Sequence, residues 1–143
     1  MPYPVFETIR HGKLVCALIV RTGFKTKGLK FLTPNRYSQQ LAWMSHPKGK
    51  TIDAHIHNLV PRAITQTQEV LYLTKGVLRV DFYTKKGKYL CSRVLRKGDL
   101  IMLVSAGHGF KVLSDLEMFE VKQGPYLGKR DKVRFNTSPS LKM

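Results

Sequence analysis

The run Asp53-Ala54-His55-Ile56-His57 sets two imidazoles two residues apart. On a β-strand such residues share a face, so the two rings would project side by side at a separation that lets both ligate one metal ion. On a bare surface the same pair would do no chemistry. Three further markers stand at regular distances from it: Gly49 lies six residues before His55, Glu69 seven before Gly76, and His108 ten after Gly98.

Positioning such groups requires strands, and the chain is patterned for them. Apolar and polar residues alternate with period two in short segments, and turn residues recur about every ten positions, as in an all-β sandwich or barrel. Strands are predicted over 14–20, 40–45, 51–57, 69–74, 77–83, 89–95, 100–104, 109–113 and 117–122. In the sixth decade of the chain this puts His55 and His57 on one strand face. In the 77–83 segment, Val77, Arg79, Asp81 and Tyr83 share one face and Leu78, Val80 and Phe82 the other. Gly76, Gly87 and Gly98 each follow a lysine or precede a charged residue between strands, where glycine accepts the positive φ of a tight turn. Residues 58–68, with Pro61 and the run Thr65-Gln66-Thr67-Gln68, read as a loop over a barrel mouth, and Arg62 within it is a candidate for anion contact or an ordinary exposed arginine.

With these residues in place the sequence resembles the cupin family, whose first motif is Gly, five residues, His-x-His, a short spacer, Glu, six residues, Gly. Gly49, His55, His57, Glu69 and Gly76 match every spacing but one, since eleven residues separate His57 from Glu69 where the family has three or four. The second motif is met more loosely by Gly98, Val104, Ala106, Gly107 and His108: Val104 replaces the family's proline, the histidine comes one residue early and Val112 stands where an asparagine closes the motif. The resemblance implies a double-stranded β-helix, or jelly-roll, barrel in which His55, His57, Glu69 and His108 hold one divalent ion. Three imidazoles and a carboxylate leave coordination positions open for substrate or water, whereas a closed structural zinc site favours thiolates. Zinc, iron, manganese and nickel all suit that donor set.

A second resemblance covers the C-terminal part. The run Phe119-Glu120-Val121-Lys122-Gln123-Gly124-Pro125-Tyr126-Leu127-Gly128, followed by Asp131-Lys132-Val133-Arg134-Phe135, is similar to the end of the cupin domain of type II phosphomannose isomerases, in which that domain follows a guanylyltransferase domain. Here Lys129-Arg130 replace an acidic pair of that family, and the domain is expected to stand alone, without a preceding nucleotidyltransferase. The resemblance implies an isomerase or epimerase acting on a sugar phosphate or nucleotide-linked sugar in polysaccharide precursor synthesis. An aldose–ketose isomerase needs a proton shuttle between adjacent carbons and a cation for the phosphate. Arg134 matches the family's arginine, and Lys122 and Glu120 are candidates for proton transfer if they face the pocket. The opposite parity would turn Phe119 and Val121 inward and leave Glu120 and Lys122 in solvent. An iron(II)-dependent dioxygenase and a non-catalytic sugar- or anion-binding module are the competing expectations.

Composition bounds these readings. The 143 residues suffice for one domain, expected to span 1–143, with 1–40 an N-terminal extension of edge strands and 136–143 a flexible tail. Cys16 and Cys91 form no CxxC pair and are expected to be buried thiols, and no run approaches the roughly 18 apolar residues of a membrane span. The N-terminus lacks the features of a secretory signal, so the expected location is the cytoplasm. The net charge of +16 attracts anions, and residues 1–50 carry nine Lys and Arg against Glu7 as their one acid. The basic residues are scattered, without zinc-finger spacing, phosphate loop or RNP-type aromatics, which argues against nucleic acid as the partner. A homodimer paired through strand edges is expected, the apolar run 14–20 being the edge to cover.

Overall fold

Alternation of inward and outward side chains is realised as ten antiparallel strands among the residues described, 3–137, in a computed structural model. They are β1 (Phe6–His11), β2 (Leu14–Val20), β3 (Gly28–Phe31), β4 (Ala42–Ser45), β5 (Glu69–Lys75), β6 (Val77–Tyr83), β7 (Tyr89–Arg96), β8 (Leu100–Leu103), β9 (Gly107–Val112) and β10 (Glu117–Lys122). One 3₁₀ turn, Gly128–Arg130, follows them; the described residues form no α-helix, and none of their helices is long and apolar enough to cross a membrane. The all-β expectation holds. The antiparallel sheets are compatible with a jelly roll, but strand pairing closes no barrel among the described residues. Of the tail expected at 136–143, residues 138–143 lie outside the described part.

The chain divides into two compact units, one made of Met1–Phe24 with Gln66–Met143, the other of Lys25–Thr65. In the first, a five-stranded sheet of order β1-β2-β8-β5-β10 and a three-stranded sheet of order β7-β6-β9 share one apolar core. Ile19, Leu71, Leu73 and Ile101 enter it from the larger sheet and Leu78, Val80, Phe82 and Leu95 from the smaller, all essentially without exposure. The inward parity read from the sequence for Leu78, Val80 and Phe82 of β6 is therefore the observed one. The run 14–20 is not an edge: β2 pairs with β1 on one side and β8 on the other, because Phe6–His11, which the strand pattern did not single out, covers it.

The turn glycines are at positive φ, and Gly76 is the most constrained. Its φ is +91°, and a Cβ there would collide with the Asp115 carbonyl oxygen. Gly76→Ala combines left-handed strain with a backbone clash and is expected to destabilise the first unit by about 3 kcal/mol. Urea titration checks this, and a loss below about 0.5 kcal/mol would show that the 113–116 turn yields freely.

Cys16 is buried and Cys91 only partly so, which corrects the expectation of two buried thiols. Burial pushes the Cys16 thiol above its ordinary range, and nearby Cys91 adds to the shift. A maleimide at neutral pH is thus expected to label one thiol, Cys91, in the native protein and both after denaturation, as counted by intact mass. Rapid native labelling of Cys16 would contradict the burial.

In the second unit β3 and β4 pair as a two-stranded ladder from Gly28↔Ser45 to Phe31↔Ala42. Trp43 Nε1 donates to the Thr26 carbonyl at 2.8 Å, and Thr33 Oγ1 donates to Gln40 Oε1 at 2.8 Å. Residues 46–65 form no strand and are exposed throughout. The strand expected at 51–57 is absent for a physical reason: alternation marks a segment able to pair, and this one has no ladder partner among the described residues.

Candidate functional site

Inner-face positions change character along the first unit. On β5 the inward series runs Leu73, Leu71, Glu69, and on β10 its direct partners are Met118, Glu120 and Lys122. On β9, His108 and Phe110 sit opposite Phe82 and Val80 of β6 and share their face. The apolar core thus passes into a polar cavity of about 630 Å³ between the two sheets, bordered also by residues 131–135 of the C-terminal segment.

Within it, His108 Nε2 lies 3.5 Å from Glu69 Oε2, both side chains being largely enclosed. The His108 N–H toward the carboxylate holds Glu69 below the usual carboxylate range; partial burial opposes the shift, and the charges of His108, Lys122 and Lys132 reinforce it. Lys122 Nζ lies 3.7 Å from Glu120 Oε1 and 5.5 Å from the centre of the Tyr126 ring. Arg134 also lines the cavity. Tyr83 is also in the lining, its ring edge-on to Phe135 at 5.3 Å, and burial followed by the Asp81 charge raises its phenol above the ordinary range, keeping it protonated.

Five of the eight residues singled out from sequence, Glu69, His108, Glu120, Lys122 and Arg134, are therefore gathered here. The parity of β10 decides the open question about its side chains: Phe119 and Val121 point to solvent, 69% and 60% exposed, while Glu120 and Lys122 face the cavity. His55, His57 and Arg62 belong to the other unit. The two rings stand 5.1 Å apart edge to face, His55 Nδ1 donates to the Asp53 carbonyl at 2.8 Å, and Arg62 donates to the Val60 carbonyl of its own loop at 3.4 Å.

Sequence reasoning missed Tyr83 and Lys132. The alternation sets Tyr83 with Val77, Arg79 and Asp81, opposite Leu78, Val80 and Phe82, yet at the end of β6, where the ladder with β7 shifts register between Phe82 and Tyr83, its side chain lines the cavity. Lys132 stands two residues before Arg134, so the cationic character of that segment was the available clue.

Comparison with protein-family models, with curated proteins and with solved structures finds no match for the chain. Among the described residues no group of three or more His, Cys, Asp or Glu is close enough to hold a metal ion. Glu69 and His108 are two donors turned toward each other, which is too few for the divalent ion that the cupin resemblance implies. The donors gathered among the described residues of the first unit thus do not fit such an ion.

Proposed function

We propose that this chain is a cupin-type sugar isomerase or epimerase that binds an anionic substrate, a sugar phosphate or nucleotide-linked sugar, and moves a proton at the carbon next to its carbonyl. The observation that carries the reading is the inward parity of β10, which sets a carboxylate and an ammonium side by side in a cavity that also holds an arginine. Arg134 offers a planar fork of donors for the phosphate or another anionic group. The Glu120 carboxylate takes the proton from carbon; the C–H electron pair becomes the C=C bond of an enediolate, and the former carbonyl oxygen takes the negative charge. Lys122, beside Glu120, stabilises that oxygen. Passage of the remaining hydroxyl proton to the former carbonyl oxygen, together with return of the abstracted proton to the carbon that bears that oxygen, gives the isomer; return of the abstracted proton to the other face of its original carbon, with the carbonyl re-formed, gives the epimer. Each leaves the overall composition of the sugar unchanged.

Incubation in deuterated water with a panel of aldose and ketose phosphates and nucleotide-linked keto sugars tests this, with NMR reading deuterium at the carbon next to the carbonyl. Incorporation into one member of the panel, with weaker binding in Arg134→Ala by about tenfold or more, is the expected result. Thermal stabilisation by a sugar without incorporation into any would make the chain a binding module instead. Neither stabilisation nor incorporation would sink the assignment.

A further inference from the structure

Two hairpin turns of the first unit meet around a space that the proton-transfer reading leaves unused. One turn joins β1 to β2 and contributes His11 and Leu14; the other joins β6 to β7 and contributes Thr84, Lys85, Lys86 and Lys88. Together they border a second cavity, of about 410 Å³, which shares no lining residue with the first. The turns are remote in sequence, so tertiary folding, and not a local run of lysines alone, assembles it.

Charge here is uncompensated. Three of the six lining residues are lysines, all exposed, and none of the nine acids of the chain is among the six. Among the described residues neither these lysines nor His11 enters an ion pair. Gathered like charges repel and cost the folded state, and a bound anion removes that cost. The backbone carrying the lysines is already fixed. Thr84 N–H donates to the Lys88 carbonyl at 2.7 Å, Gly87 N–H to the Thr84 carbonyl at 2.9 Å, and Lys88 N–H to Thr84 Oγ1 at 3.1 Å. A ligand would have only side chains left to order, which lowers the cost of binding.

The wall below the ammonium groups is almost wholly apolar, as Leu14 and the methylene stems of the lysines would make it. A monophosphate offers the lysines one centre of charge, whereas a diphosphate carries charge on two neighbouring groups and meets more than one ammonium at once. An apolar wall does nothing for a bare anion but covers a ring attached to one.

We infer that this cavity is a second binding site, for a nucleoside diphosphate, with the diphosphate held by Lys85, Lys86 and Lys88 and the base laid against Leu14. The His11 imidazole adds an N–H donor at the opposite turn. The inference goes beyond the proton-transfer reading, since it uses no residue of the first cavity.

Calorimetric titration of the full chain with sodium pyrophosphate and with uridine diphosphate, at about 0.15 M salt, tests the site. Uridine diphosphate should bind more tightly than pyrophosphate. Lys85→Gln, Lys86→Gln and Lys88→Gln combined should weaken both by about tenfold or more. An equal loss of charge elsewhere is the control: Lys25→Gln, Lys27→Gln and Lys30→Gln combined, also at exposed positions, should leave both affinities within about threefold of the parent. Leu14→Ala should erase the preference for the nucleotide and spare pyrophosphate.

Equal weakening by the two triple variants would reduce the effect to net charge and overturn the site. Affinity lost in Arg134→Ala but kept in the Lys85, Lys86 and Lys88 variant would mean that the nucleotide sits in the first cavity. Binding of a DNA duplex that this variant loses, with neither diphosphate bound, would replace the nucleotide by a polyanion. No binding of any of the three would overturn the inference outright. None of these results bears on deuterium incorporation by the wild-type chain, which judges the proton-transfer reading by itself.

Discussion

Glu120→Gln is expected to lower turnover by about 10²- to 10⁴-fold while leaving the affinity for substrate within a few-fold of the parent. The substitution keeps size, shape and one acceptor oxygen, so β10 retains its pairing with β5 at Leu71. What disappears is the group that takes the proton. Substrate binding persists because Arg134 is untouched and the Lys122 ammonium, no longer held by a carboxylate 3.7 Å away, remains in the cavity. The measurement is kcat and KM with the substrate found by deuterium incorporation. A loss confined to KM would move Glu120 from proton transfer to binding, and unchanged kcat would remove it from the mechanism.

The largest stability effect is expected far from the cavity. Asp99→Ala should cost about 3–5 kcal/mol, the range for removing one partner of a buried charge pair. Asp99 is 5% exposed and accepts from the backbone N–H of Thr22 at 2.9 Å, the backbone N–H of Arg96 at 2.9 Å and Arg21 Nη1 at 3.3 Å. Alanine at 99 would leave two backbone donors unsatisfied and the Arg21 guanidinium without its nearest carboxylate. Arg21 would still have Glu7 at 3.8 Å and the Tyr3 ring at 4.5 Å, which keeps the loss within that range. Urea denaturation gives the difference, and a cost under about 1 kcal/mol would mean that water enters to replace the carboxylate. Arg21→Met in the Asp99→Ala background should recover part of the loss, because it removes the stranded charge.

What was legible in the sequence follows what strand physics makes local. Segments 77–83 and 117–122 coincide with β6 and β10, because alternation and a glycine turn specify both the strand and its ends. β1 carried too few apolar residues to stand out and is a strand by virtue of pairing with β2, a tertiary fact. The Asp53–His57 segment shows the converse: its pattern is that of a strand, yet a strand exists only where another chain segment completes its hydrogen bonds. Within the cavity, Glu69 and His108 lie 39 positions apart in the sequence, and what unites them is the facing of two sheets, which no local pattern encodes. For Glu120 and Lys122 the sequence offered two parities, and the ladder with β5 selects between them.

The charges lining the cavity balance, Glu69, Glu120 and Asp131 against Lys122, Lys132 and Arg134, while the chain as a whole carries +16. Balanced charges cancel at a distance, so the long-range pull on an approaching anion originates from the scattered lysines and arginines of the surface. Arrival and retention are thereby assigned to different parts of the molecule. Beyond roughly 10 Å at moderate ionic strength the surface field is screened, so added salt slows the encounter. Once an anion is inside, departure is governed by the few groups that touch it, and its rate responds far less to salt.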